Sequence, residues 1–192
     1  MLTTLPTVKT RLAISPVDTT HDDLLTSFIA AASAHFNKKC NRIFGRAETT
    51  EEFPADQTEI LPAYYPLGPI TSFQIKSTEG EDWVNVDDVE YLVRKGCVIS
   101  LSTRLGTWRQ QARVLYFGGY YAPDDPNYPS DNPLPDDLQQ AAVEQVATWF
   151  LHRDYPGLIR HWPSGGVFQM FSQLPLLPSV EAILSRYTRW TL

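Results

Sequence analysis

The sequence predicts an α+β protein: an antiparallel helical bundle, an inserted small antiparallel β subdomain, and an extended C-terminal tail. Three observations carry that reading. Apolar residues recur at helical spacing near both ends of the chain, in 21–37 and 135–155. Between them, from about 60 to 117, the period changes to 2. The 15 prolines gather in the loops where the pattern changes.

Taken in order, Thr4 to Leu12 reads as a short helix, with Thr4 as cap, Pro6 in the first turn, and Val8 and Leu12 on one face. A turn at Pro16-Val17-Asp18 precedes a second helix from about His21 to Asn37, which Thr20 is placed to cap. Asp22 and Asp23 favour its start, Lys38 and Lys39 its end. Leu25, Phe28, Ile29, Ala32 and Phe36 form its apolar stripe, and Ala30 to Ala34 is small-sided. These elements fill residues 1–45.

Residues 46–120 form the β subdomain. The stretch Glu48 to Glu59 carries five carboxylates and no Lys or Arg, and reads as a solvated connection. Strands follow at Ile60-Leu61, Ile70–Ile75, Trp83-Val84, Tyr91–Val93, Val98–Leu101 and Ala112–Phe117, punctuated by glycine turns. Ile70, Ser72 and Gln74 are expected on one side of their strand, with Thr71, Phe73 and Ile75 on the other. About five strands in one sheet, curled into a sandwich or barrel, is the expected form. Its Trp and Tyr residues are expected to be mostly core.

Residues 121–155 hold an acidic, proline-rich loop and the organising helix of the chain, Pro135 to Tyr155. Leu138, Ala142, Val146, Trp149 and Phe150 make its stripe, and Gln139, Gln140, Glu144, Gln145 and Thr148 lie mostly off it. Asp136 and Asp137 suit the positive end of its dipole and Arg153 the other end. With Trp149 buried, Trp149→Ala should cost ~3–5 kcal/mol. Residues 156–192 form the tail, whose only acid is Glu181 against Arg160, Arg186 and Arg189. After the Ser164-Gly165-Gly166 elbow come Phe168, Met170, Phe171 and Leu174; a short helix opens at Pro178. Such a tail suits docking onto another protein or folding back onto its own helices. Docking implies that deleting Phe168 to Leu192 leaves a folded domain.

The bulk numbers exclude more than they identify. A chain of 192 residues, 43% hydrophobic and 20% charged, is ordinary for a soluble globular protein of one domain or one with an insertion. A net charge of −6 argues against a grip on nucleic acid. Cys40 and Cys97 read as free thiols. Neither a signal peptide nor an apolar run of membrane-spanning length stands out, which leads us to expect a protein made and kept in a cytoplasm until it meets its partners, with no membrane contact.

Catalytic chemistry is not visible. His21, His35, His152 and His161 lack a second ligand at i+3 or i+4, so zinc spacing is absent. No GxSxG, GxGxxG or Walker sequence occurs. Loop acids and helix dipoles account for Asp124-Asp125 and Asp136-Asp137. The expectation is therefore a binding protein: not an enzyme, with no cofactor and no metal. A hydrolase using His152 or His161 and a monomeric non-viral binding module or regulator are the competing readings.

Four motifs point to a family. They are the turn-strand Tyr65-Pro66-Leu67-Gly68-Pro69-Ile70 and the strand end Val114, Tyr116, Gly119, Tyr120. The others are the helix start Pro135, Asp137, Leu138, Ala141 and the tail Pro178, Val180, Ile183, Leu184, Tyr187. In this order they resemble the head–tail connector (adaptor, or head-completion) proteins of tailed bacteriophages, in the longer branch with a β insertion. Thr188 stands where that family commonly has a basic residue, and Arg189 follows. The resemblance implies a virion structural protein without catalytic residues. It implies a ring of about twelve copies beneath the portal. That ring would extend the DNA channel, let DNA pass without specific binding, and meet a neck stopper or tail-completion protein. Phe168, Phe171, Leu184, Arg186, Tyr187, Arg189 and Trp190 are the expected partner-interface residues.

Overall fold

The computed structural model describes residues 1–126, 132–153 and 176–189, and the backbone of 158–160 and 170–171. The chain forms two compact units. The helical unit draws on Met1–Cys40, Pro123–Pro126 and Leu134–Thr188; the β unit is built from Asn41–Ala122 with 132–133 and Arg189.

In the helical unit, α1 (Leu5–Arg11) is capped by the Thr4 hydroxyl, which accepts the Thr7 N–H at 3.4 Å. α2 (Asp22–Cys40) buries Leu25, Ile29, Ala32, Phe36 and Cys40. The side-chain acceptor before it is Asp18 rather than Thr20, since Asp18 Oδ1 accepts the Thr20 N–H at 2.9 Å. The Thr20 hydroxyl first, and then this N–H, hold the Asp18 carboxyl below its usual range. Buried Lys9 ties α1 to the start of α2: its Nζ donates to the Asp18 carbonyl at 2.8 Å and pairs with Asp22 at 2.5 Å. A buried ammonium without such partners would carry a large desolvation cost.

α3 (Asp136–Leu151) is the centre of this unit. It packs against α1, α2 and α4 (Pro178–Leu184), which continues into a single 3-10 turn, Ser185–Tyr187. Three neighbours require more than one apolar stripe. Ala141, Val143, Gln145 and Ala147 are therefore buried beside the expected Leu138, Ala142, Val146 and Phe150. Gln145 is the exception to its expected surface position. It is fully buried, and its Oε1 accepts the Leu177 N–H at 2.9 Å, fixing the entry to α4. Trp149 is only half-buried, edge-on to Phe28 and His35. Trp149→Ala is accordingly expected to cost about 1–3 kcal/mol in urea unfolding, less than a core tryptophan. Arg153 closes the helix: its guanidinium donates to the Phe150 carbonyl at 2.8 Å and lies 4.1 Å from that ring's centre.

The β unit has two antiparallel sheets instead of one. The larger is ordered β1-β7-β3-β4: β1 (Ala47–Pro54), β7 (Gln111–Gly118), β3 (Leu67–Lys76) and β4 (Val84–Val86). The smaller is ordered β2-β6-β5: β2 (Glu59–Ile60), β6 (Val98–Leu101) and β5 (Tyr91–Arg94). Phe53, Ile60, Phe73, Ile99, Leu101, Val114 and Tyr116, drawn from both sheets, form one buried cluster. The acidic stretch after Gly45 is a strand, not a connection. β1 pairs along its whole length with β7, from Ala47 opposite Gly118 to Pro54 opposite Gln111. Its acids deceive because β1 is an edge: Glu48, Thr50 and Glu52 are exposed while Phe53 is buried.

A bulge in β3 also changes the expected faces. Ile70 stands opposite Tyr116 and Ser72 opposite Leu115, so Thr71 is the extra residue. Ile70 therefore lies on the same face as Phe73 and packs on the core, instead of facing away with Ser72. Tyr116 is fully buried, as expected of the sheet aromatics, but Trp108 is 72% exposed and Trp83 is half-buried beneath Arg113 and Lys76.

At the end of β7, Gly119 has φ +99°, and a Cβ there would stand 2.5 Å from the Gly45 carbonyl oxygen. Gly119→Ala should therefore cost about 1–3 kcal/mol, read from the unfolding of the β unit. Burial pushes the Tyr116 phenol well above its ordinary 10.0, against the pull of the Tyr64 N–H bound to its oxygen. Because the folded-state value is raised, this stability is complete below pH 10 and falls as pH rises beyond it. A stability profile from pH 8 to 11 should show the fall, and Tyr116→Phe should flatten it.

Candidate interaction surfaces

The expected docking residues divide sharply. Leu184 has no exposed surface; with Val180 it anchors α4 in the helical core. An α4 side chain at that register must point inward, so Leu184 supports a surface without forming one. Tyr187 is half-buried and donates its hydroxyl to Asp137 Oδ1 at 2.7 Å, joining the end of the tail helix to the start of α3. The same carboxylate accepts the Leu138 N–H at 2.9 Å. Lys39 reaches Glu181 at 2.9 Å, and the Cys40 thiol donates to the Leu184 carbonyl at 3.4 Å. The described tail from Leu176 to Thr188 thus folds back onto the helical unit. Arg186 remains exposed. Arg189 pairs with Glu51 at 3.2 Å, donates to the Leu61 carbonyl, and borders a cleft of about 200 Å³ with Phe53, Gln57 and Ile60. Phe168 and Trp190, and the side chain of Phe171, lie outside the described residues.

Two further surfaces were not singled out in the sequence. A groove of about 450 Å³ in the helical unit is lined by Arg11, Leu12, Glu144, Ala147, Thr148 and Leu151. Leu151 is 67% exposed there. On the β unit, Val84, Tyr91 and Leu92 are exposed by 63%, 42% and 63%. The β-unit residues sit within strand runs whose aromatics sequence reading assigns mostly to core, whereas the groove lies on the polar side of α3, where Glu144 and Thr148 were expected off the apolar stripe.

The residues weighed for chemistry have structural partners. His21 stands edge-on to Phe150 and His35 edge-on to Trp149, with ring centres 5.2 and 5.8 Å apart. His152 Nδ1 lies 2.8 Å from the Thr148 carbonyl oxygen, and His161 lies outside the described residues. Asp124 faces the N-terminal ammonium at 3.9 Å. Among the described residues, no group of three or more His, Cys, Asp or Glu could hold a metal ion. No described helix is long and apolar enough to cross a membrane.

Buried Arg42 is the most unusual charge. Its guanidinium lies 3.3 Å from the centre of the Tyr65 ring, 4.7 Å from Phe44 and 5.4 Å from Tyr120, and it donates to the Tyr65 carbonyl. Burial lowers its pKa, opposed by Tyr65 and Tyr120.

Comparison with known proteins completes the picture. Residues 2–63 match the family described as phage gp6-like head-tail connector protein. No curated protein matches the chain. Among solved structures, a chain in the neck of an empty GTA particle, computed with C6 symmetry, aligns at 17% identity with a TM-score of 0.62. That alignment covers 97% of this chain and 89% of the other. A chain in the neck of the native GTA particle, with C12 symmetry, aligns at 16% identity and TM-score 0.56 over 88% of this chain and 84% of that one. A chain of the native gene transfer agent virion aligns at 16% identity and TM-score 0.57, covering 89% and 79%. The first third of the sequence therefore carries the signature of the phage gp6-like head-tail connector family, and nearly the whole chain has the fold of a neck chain of gene transfer agent particles.

Proposed function

We propose that this protein is the head–tail connector, or adaptor, of a phage-like particle. It forms a ring beneath the portal, extends the DNA channel, and joins the head to the next neck or tail protein. The observation that carries the reading is the alignment of 97% of the chain with a particle-neck chain, together with the connector family match at its N-terminus. The C12 and C6 symmetries of the similar necks support a ring of twelve or six copies. A net charge of −6 suits a channel through which DNA passes without sticking, because like charges repel over a Debye length of ~8–10 Å. The protein acts by fitting its neighbours and turns over no substrate. Arg186, Tyr187 and the residues around them, with Phe168, Phe171 and Trp190, supply the portal-facing contact, supported from within by Leu184.

The test is capture on purified portal protein from the same genome. We expect the chain to bind the portal and to form closed rings on it, visible by negative-stain microscopy. A chain that stays monomeric and unbound at micromolar concentrations of both proteins overturns the proposal in favour of a monomeric binding module.

A further inference from the structure

Each of the two sheets of the β unit ends in an edge strand. β4 is an edge of the larger sheet and β5 an edge of the smaller. Val84 and Val86 stand opposite Ile75 and Phe73, so they share the core-facing side of their sheet. Tyr91 and Val93 stand opposite Leu101 and Ile99 and do the same on theirs. Yet Val84 is 63% exposed, Tyr91 42% and Val93 36%. These core-facing edge residues are apolar and incompletely covered, although the Tyr91 ring lies 5.5 Å from that of Phe73 in the larger sheet.

The edges of the unit are also guarded unequally. β1 carries Glu48, Glu52 and Pro54 along its exposed side, the usual defence against unwanted pairing. β5 is Tyr91-Leu92-Val93-Arg94, with all four residues exposed and its outer backbone edge free among the described strands. Its one charge, Arg94, is engaged with Glu59 of β2 at 2.9 Å, and the other three residues are apolar; an edge of this kind is a template for strand addition.

The same chain holds a strand that needs such a template. β8 (Leu158–Arg160) and β9 (Met170–Phe171) pair only with each other among the described strands. A two-stranded ribbon alone is marginal in water. β8 is Leu-Ile-Arg in sequence, with His161 next. The residues leading into β5 are the exposed acids Asp87, Asp88 and Glu90. Antiparallel addition of β8 to β5 brings the Arg160 end of one strand to the acidic end of the other.

We infer that, in the ring proposed above, β8 of one copy adds as a strand to the free edge of β5 in the next copy, covering Val84, Tyr91 and Leu92. Donor and acceptor are different surfaces, so the contact is head-to-tail, the kind of contact from which a closed ring is built. The inference rests on the adaptor reading for its second copy.

The test is disulfide capture of full-length chains assembled on portal, in a Cys97→Ser background. Leu92→Cys alone and Ile159→Cys alone should give no covalent species. Mixed in equal amounts, they should give covalent dimers and nothing larger. The double variant should give a ladder up to the full ring. Leu92→Lys, at an exposed site, should leave circular dichroism unchanged and reduce ring yield at least tenfold. Rings that form without cross-links, cross-links confined within single chains, or normal ring yield for Leu92→Lys would overturn this pairing alone. Failure of the unmodified chain to form rings on portal would overturn the adaptor reading and this pairing with it.

Discussion

Truncation before Leu176 is expected to unfold the helical unit, or leave it too weak to survive mild urea. Val180 and Leu184 are fully buried, and each such side chain is worth about 2–5 kcal/mol when removed. Together they approach the whole stability of an ordinary domain, roughly 5–15 kcal/mol. Polar losses add to this. Gln145 Oε1 would lose the Leu177 N–H inside the core, and Asp137 would lose the Tyr187 hydroxyl. A buried acceptor left unpaired costs a further ~1–3 kcal/mol. Circular dichroism at 222 nm during urea titration measures the effect. The sequence allowed the tail to be a detachable docking arm, which predicted a folded remainder. The packing of α4 reverses that expectation for residues 176–188. A truncated chain melting within a few degrees of the full-length protein would show that α4 is dispensable to the fold.

Arg42→Ala is expected to destabilise the β unit by about 2–5 kcal/mol, as loss of a fully buried long side chain does. The guanidinium fills the space among Tyr65, Phe44 and Tyr120, and alanine would leave those rings facing a void. Lysine should not rescue the loss, because a compact ammonium neither stacks flat on Tyr65 nor tolerates burial as well. Methionine should recover more than lysine, since it restores volume without a charge to desolvate. Equilibrium unfolding of the three variants ranks them. If lysine matches the native residue, charge rather than planar stacking holds the cage.

The helices were legible because their periodicity and their ends agreed. Thr4, Asp22, Asp23 and Arg153 sit at the termini where caps and dipoles favour them, and α1 to α4 lie within a few residues of their expected spans. The alternation of β6 and β7 was equally clear: β7 buries Ala112, Val114 and Tyr116 in strict period. Three features were hidden for physical reasons. β1 looked like a linker because edge strands carry charge on purpose. Gln145 looked like surface because glutamine is usually exposed, and neither its neighbour α4 nor the Leu177 N–H that its amide oxygen accepts is visible in local composition. The face of Ile70 was misplaced because a bulge resets the period without any special residue.

The motifs that suggested the family turn out to be residues of the fold. Val114 and Tyr116 are core, Gly119 holds a backbone that a side chain would obstruct, and Asp137 bonds Tyr187 across two motifs. The resemblance therefore carried architecture well, and said little about which surface meets which partner. Of the expected interface residues, the buried Leu184 and the paired Arg189 belong to the fold as much as to any contact.

The most direct test of the connector reading is cryo-electron microscopy of gradient-purified particles from the source genome, with a small tag fused to this chain. The reading predicts tagged density as a ring on the particle axis, between portal and tail. Complete, tailed particles that lack the chain, or that carry it anywhere but that junction, would contradict it.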